Sequence, residues 1–125
     1  MKVVLDAGAF VGVDKNDRRV NDLLRELQAR EVPLVTSAAV VAQVFRHGSR
    51  QARLVRLLHG TKIEPLADDA GRAIGLLLAK SKTSDVVDGH VANLLADGDI
   101  VITSDPRDIS RLVEARNIEA RIVAV

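Results

Sequence analysis

Ile100-Val101-Ile102-Thr103-Ser104-Asp105-Pro106-Arg107-Asp108 reads as a strand, a turn and the start of a helix. Ile100 to Thr103 is β-branched throughout and has no polar alternation, as expected of a strand buried on both faces. Asp105 takes the N-cap position, Pro106 the first helical position and Asp108 the first turn, and the spacing predicts a helix to about Arg116. The same grammar recurs at the start of the chain, where Lys2 to Leu5 is a short apolar strand ended by Asp6-Ala7-Gly8. Leu34-Val35-Thr36, Lys62 to Leu66 and Arg121 to Val125 supply three more predicted strands.

Helical segments fill the intervals. Asn16 to Arg30 places Val20, Leu23, Leu24 and Leu27 on one stripe with charges opposite. Ser37 is the expected N-cap of a helix over Ala38 to Arg46, and Ser49 that of a helix over Arg50 to His59, with Leu54, Leu57 and Leu58 turned inward. A helix over Ala67 to Lys80 contains Gly71 and Gly75, which predict close helix packing because each costs about 1 kcal/mol relative to alanine. Asp85 to Ala96 is the remaining helix, ended near Gly98. Strands alternate with helices throughout, so the expected class is α/β: a mostly parallel sheet covered by helices on both faces, as one domain over 1–125.

Composition narrows the function. The chain has 125 residues, 47% apolar and 28% charged, with net charge +1. That is ordinary globular composition, and bulk charge points to no partner. With no cysteine, disulfides and thiolate zinc sites are excluded, which fits a reducing cytoplasm. Phe10 and Phe45 are the only aromatics, so stacking platforms for bases are not expected. The apolar run before Asp6 is too short for a signal peptide, and no stretch approaches a membrane span.

Acids carry the chemistry. Asp6 and Asp105 each follow a predicted strand, at the edge where open parallel sheets bind ligands, and become neighbours if those strands are adjacent. Asp85 and Asp88 share one face of a helix's first turn, where the dipole tolerates negative charge. Each has a plain structural reading: Asp105 and Asp85 as caps, Asp88 as a first-turn charge. Asp6, directly after Val3-Val4-Leu5, is the hardest to explain without a buried partner. Taken together, the four carboxylates read as a site for a hard divalent cation.

Leu5-Asp6-Ala7-Gly8-Ala9-Phe10, Asp85-Val86-Val87-Asp88-Gly89-His90-Val91-Ala92 and Val101-Ile102-Thr103-Ser104-Asp105-Pro106-Arg107-Asp108 resemble the acidic motifs of PIN-domain ribonucleases. The likeness is nearest to the toxin halves of VapBC-type toxin–antitoxin pairs, particularly the actinobacterial kind. Thr36-Ser37-Ala38-Ala39-Val40-Val41-Ala42-Gln43-Val44-Phe45-Arg46 resembles the family's second motif, and the likeness spans essentially the whole chain. It implies a PIN-like α/β/α fold in three layers, an acidic pocket holding Mg²⁺ or Mn²⁺, endonucleolytic cleavage of RNA and a small inhibiting antitoxin. A homodimer is expected partly by that analogy and partly because Leu54, Val55, Leu57, Leu58, Leu76, Leu77 and Leu78 are many apolar helical positions for a chain of this size, some of which should stay exposed as an interface. Carried over by residue, it implies that Asp6, Asp88 and Asp105 are catalytic metal-site acids supported by Asp85. Thr103 and Ser104 become pocket hydroxyls. Apart from the resemblance, a substrate needs cations beside the acids, and Arg46, Arg107 and Arg111 read as phosphate contacts.

One position departs from the family. Gln43 stands where Glu is usual, and neither Glu31 nor Glu64 lies in the same predicted segment. The amide keeps one oxygen ligand but loses a charge and cannot take a proton from water. Natural divergence and an engineered substitution are both open. A catalytically inactive PIN fold that only binds RNA or an antitoxin is therefore the rival reading. Two other families are set aside on residues: a receiver domain needs paired acids after its first strand, and a phosphatase of the haloacid dehalogenase kind needs an acid where Gly8 stands. Arg46, Arg50, Arg53 and Arg56 form a run of positive charge near His47, read either as a substrate contact or as a solvated helix face. His90 reads as a packed or capping histidine.

Overall fold

Five apolar segments pair into one sheet: β1 (Val3–Leu5), β2 (Leu34–Ser37), β3 (Lys62–Glu64), β4 (Ile100–Thr103) and β5 (Arg121–Ala124). The structure is a computed structural model that describes residues 1–125. The strand order is β3-β2-β1-β4-β5, and every neighbouring pair is parallel, so the sheet is wholly rather than mostly parallel. β1 lies in the middle with Val3, Val4 and Leu5 fully buried, which explains its unbroken apolar run. The edge strands β3 and β5 are partly exposed and carry the charged residues Lys62, Glu64 and Arg121.

Seven helices connect the strands: α1 (Ala7–Asp14), α2 (Arg18–Ala29), α3 (Ala38–Val44), α4 (Ala52–His59), α5 (Asp68–Ser81), α6 (Val86–Leu94) and α7 (Pro106–Arg116). From β1 the chain steps outward through β2 to β3, then crosses back to β4 and on to β5. Right-handed crossovers put the outward helices on one face and the returning helices on the other. The packing agrees: α1 touches α2, α3 and α4, while α5, α6 and α7 pack on one another. Phe10, Leu54, Ile102, Ile109 and Leu112 are among the fully buried side chains of the common core.

Several expectations give way here. The helix expected over 16–30 is α2, but a further helix that the sequence reading lacks, α1, precedes it directly after Asp6, hidden by its composition. Ala7-Gly8-Ala9-Phe10-Val11-Gly12-Val13-Asp14 is apolar nearly all round and shows almost no amphipathic stripe. Its glycines serve close packing: a Cβ on Gly8 would lie 2.8 Å from the Ser104 backbone nitrogen, and one on Gly12 2.7 Å from Val20 Cγ2. Gly71 and Gly75, expected to do the same in α5, face open space with nothing within 4 Å. Gly89 of α6 is the close approach instead, 2.8 Å from Ile74 Cγ2 of α5 when given a Cβ.

Ser37 caps α3 as expected, accepting from the Ala39 N–H at 2.9 Å. Ser49 does not cap α4. It sits in a 3-10 turn (Gly48–Arg50) and pairs with His47 Nδ1, while Gln51 takes the cap position without a side-chain cap bond. The Gln51 side chain is spent on the loop before α4. Its oxygen accepts from the Arg46 and His47 N–H groups, and its nitrogen donates to Val44 O and Asp14 Oδ2. At the amino edge of the sheet, buried Asp99 accepts from Lys2 N, Lys2 Nζ and Ala96 N, which ties β1 to β4.

Of the apolar residues expected to leave exposed surface, Leu76 alone does so, at 76%. Leu54, Leu57 and Leu77 are buried, and Val55, Leu58 and Leu78 are half-buried, because α4 and α5 turn those positions onto the core.

Candidate metal centre

The adjacency that sequence could not supply is present. β1 pairs directly with β4, with Leu5 beside Ile102, so Asp6 and Asp105 emerge from neighbouring strands at the same edge. This is also the place where the chain's progression across the sheet reverses, and the carboxyl edge at such a point is where α/β sheets open a ligand crevice.

Asp6 is buried and fully bonded. Its Oδ1 accepts from Ala7 N at 2.8 Å, capping α1, and its Oδ2 accepts from Thr103 Oγ1 at 2.6 Å. Thr103 Oγ1 in turn accepts from Asp105 N at 2.9 Å. One buried hydroxyl thus links Asp6, 97 residues before it in sequence, to the backbone of Asp105. Asp105 occupies the cap position of α7 but makes no side-chain cap bond, so the plain reading as a helix cap fails for its carboxylate.

Asp88, on α6, completes the cluster. Carboxylate oxygens of Asp88, Asp105 and Asp108 lie within 4.8 Å of one another. Asp88 is buried, and its Oδ2 has no hydrogen-bond partner. Burial, then the charges of Asp85, Asp6 and Asp105, push its pKa from 3.8 up to about 7. Asp105 is also raised, first by burial and then by Asp108. An oxygen buried without a partner among like charges is an unstable arrangement for a free carboxylate and a suitable one for a hard cation. The residues present therefore fit a divalent ion.

Asp85 sits at the margin. It is exposed and caps α6, accepting from Asp88 N at 3.0 Å, and it lines a cavity of about 230 Å³ with Asp88 and Asp108. Asp108 was not assigned from sequence; its signal was its position three residues after Asp105 in a helix's first turn. Lys82 and Arg111 line the same cavity; Arg111 is a cation the sequence places beside Asp105, and Lys82 has no such signal. Lys82 ends α5 in the left-handed region at φ 57, its N–H donating to the Leu78 carbonyl.

The other expected site residues lie as follows. Ser104 is exposed beside Gly8. Arg107 is exposed on α7, and it is Arg111, one turn further on, that reaches the cavity. Arg46 donates to the Ala42 and Phe45 carbonyls, closing its own helix. Gln43 is exposed on α3, and no hydrogen bond joins it to the aspartates. His90 is buried and packed as expected, with Nδ1 2.5 Å from Ser37 Oγ. Burial lowers its pKa while Glu64 opposes the shift, so the neutral ring joins α6 to the start of α3.

No protein-family model and no curated protein matches the chain. Among solved structures, a chain in the crystal structure of VapBC2 from Rickettsia felis, bound to a DNA fragment from their promoter, superposes with a TM-score of 0.69. The match covers 98% of each chain at 16% sequence identity. The fold is therefore PIN-like. The expected α/β/α layering holds along the whole chain, with five parallel strands between two sets of helices.

Proposed function

We propose that this chain is a Mg²⁺- or Mn²⁺-dependent endoribonuclease, the toxin of a VapBC-type pair held in check by a small antitoxin, acting in the cytoplasm as one domain over 1–125. One observation carries the reading: carboxylate oxygens of Asp88, Asp105 and Asp108 lie within 4.8 Å of one another just past the end of β4, with Asp88 Oδ2 buried and unpartnered. The fold shared with the VapBC2 chain supports it. No helix is long and apolar enough to cross a membrane.

Asp88, Asp105 and Asp108 would hold the cation, and Asp6, with both oxygens hydrogen-bonded, adds negative charge nearby. A bound divalent ion there supplies a Lewis acid that lowers the pKa of a coordinated water and neutralises charge at the scissile phosphate. Thr103 holds Asp6 and the Asp105 backbone in register, so the acids keep their positions on two strands. Lys82 and Arg111 set positive charge at the mouth of the cavity, where an RNA phosphate approaches.

Purified chain should cleave RNA with Mg²⁺ or Mn²⁺, EDTA should abolish the cleavage, and Asp6→Asn should remove it without unfolding the protein. A chain that binds RNA but never cuts it would favour the second reading, a PIN fold kept as a binding module. The amide at Gln43 is the observation on that side. We extend the proposal to a homodimer, supported by the exposed apolar side chains of Ile63 on β3, Leu66 in the connection after it and Leu76 on α5. A stable monomer in sedimentation would remove that part.

A further inference from the structure

A second charged surface lies away from the acids. Two cavities, of about 360 and 340 Å³, adjoin along α4 and share Arg53 and Arg56. Arg25 of α2 lines the first and Arg50 the second. Asp14 is the single carboxylate in either, and it accepts from Gln51 Nε2.

Two of these arginines, Arg50 and Arg53, are placed where the fold alone would not put them, whereas Arg56 lies in the last turn of α4, where the dipole favours a cation. Arg53 is in the first turn of α4, Arg50 just precedes it, and a cation at a helix N-terminus opposes the dipole by about 0.3–1 kcal/mol. α4 contains no acid, and its N-terminus has no side-chain cap. Arg50, Arg53 and Arg56 take part in none of the chain's ion pairs, and Arg25 has only an exposed pairing with Asp22 at 3.4 Å. Arg30 and Arg72, by contrast, are matched to acids on their own helices, and Arg116 donates to the Ala92 and Leu95 carbonyls. A row of unpaired guanidiniums beside open backbone N–H groups is a surface for an anion with repeated charges.

We propose that this groove between α2 and α4 binds the phosphodiester backbone of single-stranded RNA, away from the position of cleavage. The inference rests on the nuclease reading for the identity of the anion. α1 connects the two places: Asp6 caps its start in the acidic pocket, and Val13 and Asp14 at its end line the groove. Eight residues at about 1.5 Å each separate the two by about 12 Å, within reach of one strand a few nucleotides long. The groove has no aromatic, so it grips phosphates and reads no sequence.

The test uses a fluorescein-labelled single-stranded RNA in EDTA, where binding is read without metal-dependent cleavage. Arg53→Gln with Arg56→Gln should weaken binding about tenfold and flatten the dependence of log Kd on log salt by about 1.4, at about 0.7 for each phosphate no longer neutralised. Arg30→Gln with Arg72→Gln removes the same charge from other helices and should change neither quantity. Thermal melting of both double variants establishes that they fold. If the α4 variant binds RNA as tightly and as salt-dependently as the parent, the groove is not an RNA surface, whatever the cleavage assay shows. If poly-glutamate binds in an Arg53- and Arg56-dependent way while RNA does not, the surface serves an acidic protein and the proposal is overturned. If RNA binding falls as expected in a chain that never cleaves, the groove stands and the nuclease reading fails.

Discussion

Replacing Asp88 by Asn tests whether the pocket is built around a missing positive charge. Asp88 has its pKa raised from 3.8 to about 7. At about 1.36 kcal/mol per pKa unit, its ionised form is disfavoured in the folded protein by at most about 4 kcal/mol. The cavity beside it is open to water, and screening reduces this to about 2 kcal/mol. The sign follows from which state holds the proton. Below about pH 4 the group is protonated in both states and contributes nothing. Between about pH 4 and 7 the unfolded chain releases its proton first, so stability falls as pH rises, and above about 7 the penalty is constant. Asn carries no charge, and its NH₂ can donate to the neighbouring carboxylates. Metal-free Asp88→Asn should therefore be more stable than the parent by about 2 kcal/mol at about pH 8, or about 8 °C in melting temperature, with the gap closing toward about pH 4. Saturating Mg²⁺ should reverse the order, since a ligand that binds only the folded state stabilises the parent, and the variant offers it one ligand atom fewer. Melting scans in EDTA and in Mg²⁺ across that pH range read both effects. A variant no more stable than the parent at high pH, or a gap independent of pH, would refute the strained carboxylate and with it the case for the cation.

Gln43→Glu should raise Mg²⁺ affinity and RNA cleavage together, by about 10²–10⁴ in rate if the acid serves as general base; calorimetry and a cleavage time course that both stay flat would put position 43 outside the site. Gly89→Ala should destabilise, because its Cβ would press to 2.8 Å on Ile74 Cγ2 and 3.1 Å on Leu78 Cδ2, and overpacking costs about 1–3 kcal/mol. Gly75→Ala meets nothing within 4 Å and should stabilise α5 by up to about 1 kcal/mol, so urea titration should give shifts of opposite sign. Asp99→Asn should cost about 1–3 kcal/mol near neutral pH by weakening the hold on Lys2. Burial pushes the Asp99 pKa up but the Lys2 and Ala96 bonds outweigh it, leaving it below 3.8. That stability is present above about pH 4 and lost as pH falls, so the variant should show a shallower acid limb in pH-dependent melting.

What sequence revealed and what it hid divide along the range of the forces involved. β1 and β4 were legible because strands buried on both faces must be apolar at every position, as Val3-Val4-Leu5 and Ile100-Val101-Ile102 are. α7 was legible from Pro106 and its flanking acids, which are local signals. α1 was not, because a short helix buried nearly all round has no polar face to give it a period. Gly71, Gly75 and Gly89 look alike in sequence, and only the packing of α5 on α6 separates the glycine that fits a close approach from the two that face solvent.

The candidate site shows the same division more sharply. The resemblance pointed to Asp6, Asp88 and Asp105 by residue, but it carried neither Asp108 nor the cations Lys82 and Arg111. Those belong to the cavity only because α5, α6 and α7 pack together at the end of β4. Local reasoning treated Asp85 and Asp105 alike, as caps, and the structure separates them. Asp85 accepts from the Asp88 N–H and has a complete structural explanation, whereas Asp105 stands at a cap position with its carboxylate turned to no cap bond. An acid whose local role is filled needs no further partner. Asp105 and Asp88 have no such role, and their raised pKa values, burial in both cases being the first cause, mark them as the pair whose charge the fold leaves for something else to balance.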